Sequence, residues 1–242
     1  MYRQFKMLLC GDQAISLEFG EGISLETGLR VQRMLHAIKE LKKPGIKELV
    51  PCYRSLLIYY DPLLVDLKLL EEEFRRVENN LSENNVIQAK RVKIPVLYGG
   101  EFGPDIGYVA DYNGLSIDDV IDLHLKPVYI SFNGFDPGTP LLLGLPKELH
   151  TPRLETPRLS VPKSSVAIGG VQTCVYAYER PGGWRIIGRT PLRMFDLERK
   201  PQRLVDFGDQ VRFVRIDEKE YFEIFDRVER EKEPVSKYIE KS

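Results

Sequence analysis

A small α+β domain joined to a mainly-β domain is the fold class this chain predicts. Helix-period and strand-period runs alternate up to Gln88, whereas Gly, Pro and β-forming residues dominate beyond Pro127, with turn signals about every ten residues. The expected boundaries are 1–88 for the first domain and 89–242 for the second, which ends in a charged tail.

In the first domain Ile15, Leu17 and Phe19 alternate with polar or small residues, as in a half-buried strand. Ser24 offers an N-cap, and Val31, Met34, Leu35, Ile38 and Leu41 recur at helical spacing until Pro44 and Gly45 stop the run. Residues 46–50 and 55–60 read as strands about a turn at Pro51. Asp66 can cap a second helix whose inward face is Leu70, Phe74, Val77 and Leu81. A polar link at 82–85 leads to a strand over 90–97. That order contains the split βαβ arrangement of a ferredoxin-like domain, one helical layer on one antiparallel sheet.

The second domain opens with two short helices. Asp105 is placed to cap one that ends at Asn113-Gly114, and Ser116 with Asp119 forms a capping-box pattern for the next. Beyond them the turn-rich texture predicts a closed or sandwiched β structure. A hairpin is expected from 171–179 and 184–190 about a turn at 180–183, then two strands within 204–216. Trp184 reads as a core anchor. The densely charged tail from Asp217 reads as a solvated helix that frays.

Of the 242 residues 43% are hydrophobic, enough for real cores. Lys and Arg number 35 against 36 Asp and Glu, so the basic excess of a nucleic-acid binder is lacking. No apolar run approaches the roughly 20 residues of a membrane helix. Three widely spaced cysteines (Cys10, Cys52, Cys174) suit buried thiols in a reducing compartment, and a cytoplasmic protein is expected. The sequence holds no GxxxxGK[ST] loop for ATP, no HExxH or paired CxxC for a metal, and no Met-Lys-Met setting for a biotinylated lysine.

Several segments could carry chemistry. The run NGFDPGTP at 133–140 includes Pro137 and Gly138; it suits either a rigid ligand-facing loop with exposed N–H donors or a wide turn between strands. The repeat TPRLETPRL at 151–159 must be extended or polyproline-like. Its Arg153 and Arg158 lie an odd five residues apart, so in a straight strand they face opposite sides. Each suits bidentate recognition of a carboxylate, and equally a structural tie to backbone carbonyls. Gln172, after the double glycine Gly169-Gly170, can donate and accept as an amide substrate demands, or lie on a solvated strand face. His124 is a candidate general base near neutral pH, or a dipole partner at a helix C-terminus.

These loops, with IPVLYGGEFGPD at 94–105, PGGWRIIGRTP at 181–191, GDQA at 11–14 and VPCYRSLL at 50–57, give a resemblance over nearly the whole chain up to Ile216. The chain resembles the family of the 5-oxoprolinase B subunit, the bacterial histidine-kinase A inhibitor, allophanate hydrolase subunit 1 and the corresponding half of the carboxyltransferase domain of urea carboxylase. The resemblance implies a cyclophilin-like barrel for the second domain. It also implies a partner, a second cyclophilin-like subunit of the type found as the 5-oxoprolinase C subunit or allophanate hydrolase subunit 2. In 5-oxoprolinase the lactam-utilisation component, its A subunit, joins them. The implied reaction is ATP-dependent opening of 5-oxoproline to glutamate, with ATP bound with or by a partner and no biotin on this chain. Arg158 or Arg153 would then hold the substrate carboxylate, Gln172 the amide, and backbone N–H groups around Gly138 the developing negative charge. The kinase-inhibitor members imply the alternative of a regulatory binding protein that inhibits a sensor histidine kinase. The chain departs from the family in two places: Thr139 and Leu141 stand where its Gly-Phe-x-Pro-Gly-Phe-x-Tyr-Leu loop has aromatic rings, and its Gly-Gly-Gln-Thr-Gly is here Gly169-Gly170-Val171-Gln172-Thr173-Cys174, offset by one residue around the glutamine.

Overall fold

The computed structural model describes residues 1–81, 89–132, 136, 138–230 and 233–240. They form two compact units, one comprising the chain up to Leu81 with Phe132, the other Ala89–Ser131 and the described residues from Asp136 onward. The polar link expected at 82–85 lies outside the described residues.

In the first unit β1 (Lys6–Leu9), β2 (Ala14–Glu18), β3 (Ile46–Cys52) and β4 (Ser55–Tyr60) form an antiparallel sheet in the order β1-β2-β4-β3. One face, with Ile15, Leu17, Leu56 and Ile58, is buried. Helices α1 (Leu25–Leu41) and α2 (Leu67–Asn79) contribute Val31, Met34, Ile38, Leu70 and Phe74 to the same buried set. Both expected caps form: the Ser24 hydroxyl accepts from Thr27 N–H, and the Asp66 carboxylate accepts from the amides of Lys68 and Leu69. The strand after the second helix does not complete this sheet. Its place beside β2 is taken by β1, which folds back through a turn closed by Cys10 N–H to Ala14 C=O at 2.9 Å. The later strand finds more pairing partners in the second unit.

Gly28, inside α1, faces Phe132. A Cβ at this position would lie 2.7 Å from two carbons of the Phe132 ring. Alanine ordinarily gains about 1 kcal/mol over glycine inside a helix. Here overpacking of about 1–3 kcal/mol outweighs that gain. Gly28→Ala should therefore lower the thermal midpoint; a rise would show that Phe132 moves aside freely.

The second unit is a closed barrel. Its seven strands are β5 (Arg91–Tyr98), β6 (Tyr129–Ser131), β7 (Leu141–Leu143), β9 (Ser165–Gly169), β10 (Gln172–Val175), β12 (Arg185–Arg189) and β13 (Gln210–Arg215), with β8 (Arg158–Val161) and β11 (Arg180–Gly182) paired separately. Round the ring the order is β5-β13-β6-β7-β10-β9-β12, and β12 closes on β5. Only β13 runs parallel to β5. Val92, Ile94, Val96, Val166, Ile168, Val175, Ile187, Val211 and Phe213 fill one core, to which α3 (Ile106–Asn113) and α4 (Ile117–Leu125) add Val109, Val120 and Ile121. The Ser116–Asp119 capping box is present.

Four expectations are corrected. Segments 171–179 and 184–190 do not pair with each other: β9 runs between β10 and β12, and the tight turn is at Gly170–Val171, between the paired Gly169 and Gln172, with Gly170 at φ +64°. Residues 180–182, expected as a turn, instead pair with β8. Within 204–216 there is one strand, because Asp209 accepts from the Asp206 amide at 2.7 Å and closes a turn before it. The tail is not a solvated helix: α5 (Glu218–Glu229) buries Tyr221, Ile224 and Val228, and β14 (Ile239–Glu240) pairs with the first residues of β5. No helix among the described residues is long and apolar enough to cross a membrane.

Candidate functional site

The glycine-rich run at 99–105 braces β12 where its pairing with β9 shifts register, between Ile186 and Gly188. Gly99 N–H donates to the Ile187 carbonyl (3.1 Å) and Gly103 N–H to the Gly99 carbonyl (2.8 Å). A Cβ on Gly103 would fall 2.1 Å from the Ile187 carbonyl oxygen, so only glycine fits. Asp105 then takes both backbone groups of Ile186: its amide donates to the carbonyl at 2.9 Å, and its Oδ2 accepts the Ile186 N–H at 2.7 Å. Its Oδ1 accepts from Arg158 Nη2, also at 2.7 Å. Although Asp105 precedes α3, its side chain makes no cap bond. Arg158 is thus tied to a carboxylate of its own chain, while its Nη1 is buried with no hydrogen-bond partner among the described residues.

Gln172 and Arg153 lie on the outer side of the same strands. Along β10 the side chains alternate, Thr173 and Val175 toward the main core, Gln172 and Cys174 away from it. Cys174 packs with Val161, Ala167, Tyr176, Trp184 and Ile186 in a second, smaller core. Burial pushes the Cys174 thiol well up, which makes it a packing group and not a nucleophile. Gly169 is required by the indole of Trp184, which a Cβ would meet at 2.4 Å. The exposed Arg153 lays its guanidinium over that indole, 5.0 Å from the ring centroid. Gln172 itself is buried.

The loop near Gly138 is held from three sides. Gly138 has φ +74°, and a Cβ there would meet Phe195 at 2.5 Å. The Thr139 hydroxyl accepts from Ala177 N–H at 3.4 Å. Asp136 accepts from the Tyr178 hydroxyl (2.5 Å) and pairs with Arg180 (2.5 Å). Pro137 lies outside the described residues, as do residues 133–135. Beside this loop is a cavity of about 570 Å³ whose lining includes Lys163, Ala177, Tyr178, Glu179 and Phe195.

His124 belongs elsewhere. It is fully buried, stacked on Phe213 with centroids 4.5 Å apart. The Thr173 hydroxyl donates to the Ala167 carbonyl, so it accepts from His124 Nε2–H at 2.9 Å; Nδ1 then accepts from the Tyr98 hydroxyl at 2.8 Å. Burial lowers its pKa to about 3. The expectation of a general base is therefore corrected: the ring is neutral, engaged at both nitrogens and shut off from any substrate, and it ties α4 to β10.

The structure thus brings Gln172 and Arg153 to one side of β10 and β12, ties Arg158 to Asp105, and sets Gly138 against Phe195 beside a cavity that Phe195 lines. Asp105, Asp136, Tyr178 and Arg180 emerge as organisers that the sequence did not single out. Asp105 resembled a helix cap and Arg180 a turn residue, and only the partners they meet in space reveal their roles.

Residues 5–205 match the family model for the carboxyltransferase domain, subdomain C and D. The B subunit of 5-oxoprolinase from Bacillus subtilis (strain 168) is 41% identical over 222 residues, covering 87% of this chain and 92% of that protein. Among solved structures, the crystal structure of TTHA0988 superposes with a TM-score of 0.76 at 35% identity over 85% of this chain, which spans only 40% of TTHA0988. The conserved uncharacterized protein PH0987 from Pyrococcus horikoshii is 49% identical with a TM-score of 0.54, covering 89% of this chain and 100% of its own. By its sequence and by the strands and helices that sequence forms, the chain belongs to the carboxyltransferase domain, subdomain C and D family.

Proposed function

We propose that the chain is one component of an ATP-dependent enzyme that hydrolyses a cyclic amide, of the 5-oxoprolinase type. In this reading it works only with a second barrel protein, of the kind that forms the C subunit of 5-oxoprolinase, and with a lactam-utilisation component. The observation that carries this is the 41% identity to the 5-oxoprolinase B subunit across nearly the full length of both proteins. We also read the barrel as cyclophilin-like, the four-stranded unit as a ferredoxin-like docking module whose edge strand is supplied by β1, and the protein as cytoplasmic.

Arg153, exposed on the Trp184 indole, then holds the substrate carboxylate. Arg158 serves as the second cation at the rim, kept in place by Asp105. Gln172 recognises the amide, and backbone N–H groups near Gly138 meet the charge that develops on the attacked carbonyl. The cavity beside Gly138 does not fit a triphosphate: Glu179, Asp196 and Glu198 line it, and its cations Lys163 and Arg193 already pair with Glu229. The nucleotide is accordingly assigned to the partner's side.

The test is reconstitution. Glutamate formation from 5-oxoproline and ATP should be absent with this chain alone and appear when the second and third components are added. Turnover by the single chain would overturn the reading. So would an inactive three-component mixture, and recovery of a sensor kinase in place of a barrel partner would favour the inhibitor alternative.

A further inference from the structure

We propose that Tyr178 and Arg180 are positioning residues which, through Asp136, hold the Gly138 loop in register as a wall of the binding site. The inference rests on the function proposed above and adds residues that it did not use.

From Gly138 to Leu143 the loop carries no aromatic ring to anchor it, and Gly138 at φ +74° supplies no side chain. Besides Phe195, what meets it comes from the segment after β10. The guanidinium of Arg180 lies against two rings of that segment, 5.4 Å from the Tyr176 centroid and 5.2 Å from that of Tyr178. Between these groups the Asp136 carboxylate receives Arg180 on one oxygen and the Tyr178 hydroxyl on the other, each at 2.5 Å. Arg180 Nη1 also reaches the Tyr178 hydroxyl at 3.4 Å, so the three side chains form a closed set. The Asp136 side chain is only 10% exposed.

With the carboxylate withdrawn from water and the Arg180 side chain still 31% exposed, the pair is a poor stabiliser, since desolvation on one side and solvent screening on the other offset much of its attraction. What it does well is fix geometry: two charge-assisted bonds to opposite carboxylate oxygens leave the loop one position. That position borders the cavity, because Tyr178 and Ala177, which hold Asp136 and Thr139, also line it. A loop freed from the clamp would have to be ordered again by each substrate molecule. That cost falls on binding.

Amide hydrogen exchange on the full chain tests the clamp without any assay of activity. In Asp136→Asn and Arg180→Met the amides of Gly138 and Thr139 should exchange at least about 10-fold faster, with the β9 amides unchanged, and Tyr178→Phe, which removes one hydrogen bond, should give a smaller rise of about 3-fold. Unchanged exchange at Gly138 and Thr139 in all three variants overturns the proposal. In the assembled complex, with 5-oxoproline and ATP, the same variants should raise KM for 5-oxoproline about 10-fold with kcat within about 3-fold. A fall in kcat at constant KM would mean fewer folded molecules, and also overturns it. Exchanging the charges, Asp136→Arg with Arg180→Asp, should restore part of the lost affinity. If the unaltered complex proves inactive, the functional reading fails, while the exchange result still decides whether the clamp exists.

Discussion

Asp105→Ala should lower the unfolding free energy of the barrel unit by about 3 kcal/mol, an expected fall in thermal midpoint of about 6–12 °C for a chain of this size. The magnitude follows from what the carboxylate leaves behind. Without it the Ile186 amide, buried in the braced stretch of β12, loses its only side-chain acceptor among the described residues. Arg158, whose side chain is 30% exposed, loses its only ion-pair partner among the described residues. A buried N–H left unsatisfied and a half-buried charge left unpaired are each costly, and solvent reaching Arg158 keeps the sum toward the lower end. Arg158→Met should cost less, because Asp105 keeps the Ile186 amide. If Asp105→Ala melts within about 2 °C of the unaltered protein, the brace has been misjudged.

The second large effect depends on pH. His124 has its pKa lowered to about 3 by burial, against about 6.5 in an unfolded chain. Between those values the unfolded state binds a proton that the folded state refuses. Stability is therefore full above about pH 6.5 and is lost as pH falls, by up to about 1.4 kcal/mol per unit. His124→Gln can keep hydrogen bonds toward Tyr98 and Thr173 but does not titrate. Urea midpoints measured from pH 7.5 down to 4.5 should show the unaltered protein ahead at neutral pH and the gap closing as acid is added. Parallel curves for the two proteins would show that His124 titrates normally and is not sealed in.

Local chemistry was legible in the sequence, and choices of distant partner were not. Ser24, Asp66 and the Ser116–Asp119 box cap helices through bonds to residues two or three positions away, so their roles are visible in a short window. Strand pairing is different. Nothing near Trp184–Thr190 indicates that β9, and not the segment at 171–179, will lie beside it, because any two strands of suitable pattern can pair. The family resemblance rested on motifs at 94–105 and 181–191, but what joins them, a carboxylate and two glycines bracing a shifted register, depends on atoms more than 80 positions apart, as the Asp105–Ile186 bond shows. In the tail, Tyr221, Ile224 and Val228 form a helical stripe that the surrounding charge obscured. For His124 the deciding fact was burial, which a lone histidine in a sequence does not disclose.

The pairing of β5 has a consequence for how the protein is made. Every strand that hydrogen-bonds to it, β12, β13 and β14, is encoded in the last third of the chain. During synthesis Val92, Ile94 and Val96 must wait, uncovered, until most of the polypeptide has left the ribosome, whereas the β1–β4 sheet and its two helices are complete once Asn79 has emerged. Closure of such distant ends is intrinsically slow and leaves a strand open to wrong partners meanwhile. The N-terminal module should fold early, taking Phe132 from the later chain to cover Gly28, and the newborn barrel is the part that would lean on a chaperone.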